Sequence, residues 1–238
     1  MIMERMKNLK GFTLVEILAA MSIGLLMLAP IYVSVVSGQK SSLGLESKIT
    51  AYQDTRAALE GMATEISMAS YNSNFTPNIW LDPANCTNPS PNQAYKGIQA
   101  ADGNSITVEM DTDNSGVVGD KPNEIISYVY DMNNQLISRT ANSGVGCGDP
   151  DSFLGDIAPN PGKSEMVVNN LLNIPVFTYF DGLGNPIPAG NLPASIPNIR
   201  RTQITLAVQT EDADPNTHQT RTMIYTTSLV PKNHATCR

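Results

Sequence analysis

Hydrophobic and polar positions divide the chain into three textures. From Ile17 to Val36 no residue is charged and Ile, Leu, Met, Ala and Val dominate, a run long enough to cross the ~30 Å hydrocarbon core of a bilayer as a helix. Beyond Gln39 the pattern becomes amphipathic. Leu45, Ile49, Tyr52, Leu59, Met62, Ile66 and Ala69 recur at three- and four-residue steps, broken by Arg56, while Glu46, Lys48, Gln53, Asp54, Glu60 and Thr64 occupy the other side. The spacing predicts one helix over 12–70, crossing a membrane to about residue 36 and then laying its apolar stripe on a sheet of the same chain. Gly24, Pro30, Gly38 and Gly44 fall within its first half, and Pro30 is expected to kink or locally melt it, because it removes a hydrogen bond and crowds the preceding turn.

Past Tyr71 the texture changes to Asn, Pro, Gly and Thr, with turn signals at 72–74 and 85–92. Strand-like runs follow at Ser105 to Met110, Glu124 to Tyr130, Gln135 to Thr140, Pro175 to Phe180, Arg201 to Thr210 and Arg221 to Val230. Met132-Asn133-Asn134 reads as a hairpin turn and Asp181-Gly182-Leu183-Gly184-Asn185-Pro186 closes another strand. Residues 165–173 fit a short helix and a strand equally well. The expected fold is α+β, a long N-terminal helix packed on an antiparallel meander with long loops, residues 71–238 forming one globular domain.

Charge narrows the partners. The chain of 238 residues has a formal net charge of −7, and its first ten residues hold Arg5, Lys7 and Lys10 against Glu4, so the remainder is more acidic still. Nonspecific nucleic-acid binding, which needs clustered Lys and Arg on phosphates, is excluded as a function; Arg200-Arg201 reads as a solvated strand start. The basic leader ahead of the apolar run should stay on the cytoplasmic side, placing the bulk of the chain in the periplasm. Cys86, Cys147 and Cys237 allow three pairings with one thiol left over. Cys86 with Cys147 is favoured, since both lie in loop-like sequence and Cys237 lies one residue from the end.

Between the leader and the apolar run stands Lys10-Gly11-Phe12-Thr13-Leu14-Val15-Glu16, and Glu16 is the only ionisable side chain from Gly11 to Gln39. A secretory signal would end its shorter apolar core in a small-residue cleavage site. An ordinary anchor has no use for a carboxylate that costs on the order of 2.5–3.5 kcal/mol to insert and so needs a partner. Cleavage after Gly11 would supply one, placing a new amine on Phe12 four residues before Glu16, about one helical turn away.

Gly-Phe-Thr-Leu-Val-Glu followed by an apolar run resembles the type III signal of type IV pilins and type II secretion pseudopilins. The resemblance implies a membrane-embedded prepilin peptidase that cuts after Gly11 and N-methylates Phe12. It also implies retention in the inner membrane before assembly, and polymerisation with other pilins through the helix, Glu16 meeting the Phe12 amine of a neighbour. The stretches Asn123 to Asp131 with Leu136-Ile137-Ser138-Arg139, Phe177 to Gly182, and the closing strand pair resemble the larger PilW-like minor pilins and J-type pseudopilins. On that resemblance the chain is expected to be a minor, tip-proximal pilus subunit. The alternatives are a minor pseudopilin of a type II secretion system and, in a different class, a membrane-anchored periplasmic enzyme or binding domain.

One run has metal character: Asp111-Thr112-Asp113-Asn114-Ser115-Gly116-Val117-Val118-Gly119-Asp120. Its opening resembles half of an EF-hand loop, but the twelfth position falls on Pro122 and the next acid is Glu124, which excludes a true EF-hand. An acidic hairpin turn accounts for the run. A calcium site built from Asp111, Asp113, Ser115, Asp120 and the Val117 carbonyl is the alternative. His218 and His234 read as solvated surface histidines, Trp80 as a core or loop anchor, and no nucleophile, phosphate-loop or dinucleotide pattern occurs, so no enzymatic activity is expected.

Overall fold

The computed structural model describes residues 11–155, 165–210, 213–214 and 218–234; the leader's charged residues and Cys237 lie outside them. A single helix, α1 (Leu14–Ser67), runs for 54 residues, about 80 Å at 1.5 Å per residue. It passes through Pro30 unbroken: the expected local melting does not occur, since proline's fixed φ is helical and only one internal hydrogen bond is lost.

Two antiparallel sheets follow, where the sequence predicts one meander. The first is built in the order β1 (Ile98–Ala101), β2 (Ser105–Glu109), β3 (Ile125–Asp131), β4 (Leu136–Ala141) and β5 (Pro150–Leu154). The second centres on the ten-residue β8 (Arg201–Thr210), which pairs along its length with β9 (Thr222–Leu229) and on its other edge with β7 (Phe177–Phe180) and β6 (Glu165–Val167). The ambiguous 165–173 stretch contains both alternatives, β6 and then the four-residue helix α2 (Asn169–Leu172).

The distal part of α1 contributes Ala58, Leu59, Met62 and Ile66, and the turn after it Ala69, to a core shared with both sheets, including Ile106, Tyr128, Tyr179, Ile204 and Leu206. The predicted stripe fails below residue 58. Ile49 and Tyr52 are 47% and 42% exposed and Leu45 faces outward, while Gly44, Ala51 and Thr55 are buried. Small side chains let the helix approach β8 and β9 closely, and the larger apolar residues turn away. Farther along, Glu65 locks the helix to the first sheet. Its carboxylate accepts from Arg139 Nε at 3.0 Å and Nη2 at 2.8 Å and from the Tyr128 hydroxyl, a fork geometry suited to a carboxylate.

Where α1 ends, backbone meets backbone. Ser70 N donates to Glu109 O, Gly97 N donates to Ser70 Oγ, and Glu109 N donates to Gly97 O. A Cβ on Gly97 would fall 2.2 Å from Ser70 N, so only glycine fits this junction. Here the chain's C-terminal segment also docks. His234 is buried, its Nε2 lying 2.9 Å from Ile196 O and its Nδ1 2.9 Å from Ser70 Oγ. A carbonyl only accepts, so Nε2 carries the proton and Nδ1 accepts from Ser70. The reading of His234 as a solvated histidine is therefore corrected: the turn at 232–234 folds back under the helix end. His218 is exposed as expected.

Candidate functional site

At the amino terminus of α1, Thr13 has extended backbone and caps the helix, with Glu16 three residues on. Thr13 N and Thr13 Oγ1 donate to Glu16 Oε2 at 2.8 and 2.9 Å, and Glu16 N donates to Thr13 Oγ1 at 3.3 Å. This reciprocal capping box satisfies two donors that every helix start leaves open and places the carboxylate at the positive end of the helix dipole. The partner that Glu16 requires is thus Thr13 in the uncleaved chain. Phe12 lies just outside the helix and is 85% exposed.

Phe12, Glu16, Ile17, Ala20 and Met21 line one shallow groove along the helix, so the only carboxylate of this stretch opens onto an apolar face. Leu14, Val15, Leu18, Ile23, Leu25, Leu26, Ile31 and Val35 are also exposed, and the helix is long and apolar enough to span a membrane. Gly11 has no described atom within 4 Å of where a Cβ would sit, and its φ lies outside the left-handed region. Neither packing nor backbone conformation therefore requires glycine there.

The remaining candidates lie at the other end of the molecule. Cys86 and Cys147 form the favoured disulfide, with Cα atoms 5.1 Å apart. It ties the 79–90 loop to the 142–149 loop, and Trp80 is buried beneath it with Ile79, Val118 and Ile125, the anchor role expected. In the acidic run, carboxylate oxygens of Asp111, Asp113 and Glu124 come within 4.8 Å of one another. The sequence set is thus brought together only in part: Asp120 stands outside this group, 3.4 Å from Ser115 Oγ. Glu124, which spacing alone removed from the ligand list, enters it because β3 begins beside the loop.

Those oxygens are already occupied by the loop's own amides. Asp111 accepts from Ser115 N and Gly116 N. Glu124 accepts from Thr112 N, Gly119 N and Lys121 N, and Lys121 Nζ stands 3.7 Å from Asp113. Five backbone donors and one ammonium make this a loop folded around its own carboxylates. It serves the acidic-turn reading directly, and the calcium reading would require a cation to share oxygens with these donors.

One buried carboxyl was not anticipated. Glu109 on β2 is fully buried; its Oε2 accepts from Leu81 N at 2.9 Å, and its Oε1 has no partner among the described residues. Burial pushes this carboxyl up to about 8, with Asp82 adding to the rise and the Leu81 amide opposing it. Burial likewise holds the His234 ring down to about 4, helped by Lys96 and Arg200 and opposed by the Ile196 carbonyl. Only the strand alternation of Ser105 to Glu109 could have signalled Glu109, since it puts the residue on the face opposite Ile106 and Val108.

Comparison with known families identifies the prokaryotic N-terminal methylation motif over residues 6–32. No curated protein and no solved structure matches the chain. The matched segment covers the Gly11-Phe12 junction, the Thr13–Glu16 capping box and the exposed apolar turns that follow. The N-terminal end of the chain thus carries a prepilin-type signal, the segment by which it is similar to type IV pilins and pseudopilins.

Proposed function

We propose that this protein is a minor type IV pilin, a structural subunit near the pilus tip or at the start of assembly. A prepilin peptidase cuts it after Gly11 and methylates Phe12. Until assembly the helix holds it in the inner membrane with residues 71–238 in the periplasm, and the same helix then packs among other pilins at the cell surface. The observation that carries this reading is the lone carboxylate at the start of an exposed apolar helix, directly after a glycine that the fold itself does not require.

Cleavage changes what Glu16 can reach. The new Phe12 amine would stand next to Thr13, and a neighbour's amine would compete for the carboxylate that Thr13 holds in the uncleaved chain. A protonated amine is the stronger partner, because it meets the carboxylate with a full opposite charge where Thr13 offers only N–H and O–H dipoles. The capping box then keeps Glu16 satisfied in the bilayer and presents it at the helix start for exchange. No catalytic role is assigned to the distal domain, whose histidines are either exposed or bound into the fold.

The length and loop content favour a minor over a major subunit, and a minor pseudopilin of a type II secretion system is the second reading. Intact mass and N-terminal analysis of protein from sheared surface filaments and from membranes tests the first. A methylated Phe12 terminus in both fractions is the expected result. A Met1 terminus confined to membranes would overturn the assembly role and leave a plain anchor, and processed protein restricted to the envelope of a secretion-competent cell would favour the pseudopilus.

A further inference from the structure

The outer face of the first sheet carries a feature that assembly does not use. Antiparallel register sets Thr107 opposite Ser127, and Ser127 opposite Thr140. Three hydroxyl side chains therefore form one row across β2, β3 and β4, about 4.8 Å from strand to strand. Thr107 Oγ1 donates to Ser127 Oγ at 3.0 Å, and the Ser127 hydroxyl proton has no acceptor among the described residues. Thr140 Oγ1 makes no hydrogen bond with another described residue. Two of the three hydroxyls are thus free at the end of a polarised chain.

Above this row the disulfide-tied loops form a roof. Pro83 and the Cys86–Cys147 bridge close a slot of about 180 Å³ over the hydroxyls, with Ile125 of β3 beside Ser127 in its floor. Gly148 borders it too, and a Cβ there would fall 1.9 Å from Ala141 O, so the roof can sit this close only with glycine at that position. No charged side chain lines the slot among the described residues. Asn142, the other polar neighbour, spends its amide on Glu124 N, Ile125 N and the carbonyls of Gly119, Lys121 and Gly144.

We propose that this slot binds a single neutral sugar ring, the hydroxyl row meeting the ring's hydroxyls and the proline–disulfide roof covering its apolar C–H face. The chemistry selects this ligand against others. An anion would find no cation and no cluster of backbone N–H donors, a cation would find no carboxylate, and a peptide chain would exceed the volume. A flat polyol with one apolar face matches hydroxyls that both donate and accept. The inference is independent of whether the filament is a pilus or a pseudopilus.

Saturation-transfer NMR on the full chain in a detergent without a sugar headgroup tests it, using glucose, galactose, mannose and their N-acetylated 2-amino forms, with glucuronate as the charged control. Saturation transfer to at least one neutral sugar at about 10 mM, and none to glucuronate, is expected. Thr140→Val and Ser127→Ala should each weaken binding by roughly tenfold at unchanged Tm, and Thr140→Ser should retain it. Cys86→Ser with Cys147→Ser should abolish binding by opening the roof. Absence of transfer to every neutral sugar, or equal binding by wild type, Thr140→Val and Ser127→Ala, would overturn the proposal.

Discussion

The two halves of α1 are one unbroken helix with opposite destinations. From Leu14 to Val35 every large apolar side chain is exposed, whereas from Ala58 to Ile66 the helix gives Ala58, Leu59, Met62 and Ile66 to the core. Both halves are apolar, so hydrophobicity alone does not distinguish them. What differs is what covers them. The distal half has two sheets of its own chain and the Glu65–Arg139 lock; the proximal half is covered by none of the described residues and has one carboxylate at its tip. The first is built for self-burial and the second for a bilayer or other subunits.

Breaking the proximal half should have the largest effect and leave the fold intact. Gly11→Val, at a position with no packing contacts, should block processing completely: intact mass would retain the leader while Tm stays at the wild-type value. A correctly shortened mass from this variant would remove Gly11 from the cleavage site. Next comes a matched pair. Met62→Ala should cost about 2–5 kcal/mol of domain stability in denaturant melts, because its side chain is fully buried, and Leu25→Ala should cost under ~0.5 kcal/mol. Equal losses at the two positions would contradict the division.

Glu65→Gln should cost about 1.5–3 kcal/mol by breaking the charged hydrogen bonds to Arg139, again read by denaturant melts. A change of filament yield without a change of stability would show that the lock acts in assembly instead.

Two buried groups give the distal domain a pH profile of its own. Glu109 titrates near 8 when folded against 4.5 as a free group, so the folded state holds the extra proton and stability falls as pH rises through that window. His234 titrates near 4 against 6.5, so stability is lost as pH falls below 6.5 toward 4. The two windows overlap, so Tm should be level between about pH 4.5 and 6.5 and fall on either side, and Glu109→Gln should remove the fall between 6.5 and 8. A Glu109→Gln profile that still falls between pH 4.5 and 8 would place that loss on another group. A smaller loss than at Met62 or Glu65 is expected at the other end, where Thr13→Val removes the cap and costs about 0.5–2 kcal/mol of local helix stability. Its readout is filament incorporation relative to Glu16→Ala; wild-type incorporation by both variants would remove the capping box from assembly.

Legibility followed the range of the interaction. β8 appears at the bounds its alternation predicts, and β2, β3, β4 and β9 fall within a residue or so of theirs. Each carries β-branched residues within a run of five or more positions, a local signal. β1 and β5 were missed and β6 was one of two readings of its stretch, because Ile98–Ala101, Pro150–Leu154 and Glu165–Val167 are short and carry no alternation; they are strands because a neighbour's edge pairs with them. The helix stripe misled for a related reason. Periodicity ranks large apolar residues as inward, but close approach to β8 and β9 selected Gly44, Ala51 and Thr55 instead.

Sequence alone determined the assembly end of this protein. Glycine, capping threonine, glutamate and the uncharged run act through nearest neighbours on one helix, and their meaning depends on no other part of the chain. Tertiary structure decided the rest. It drew Glu124 into the acidic loop, buried Glu109 and His234, split the meander into two sheets and aligned Thr107, Ser127 and Thr140 under a disulfide roof. Each of these joins residues far apart in the chain, so register and packing create them, and no local pattern carries that information.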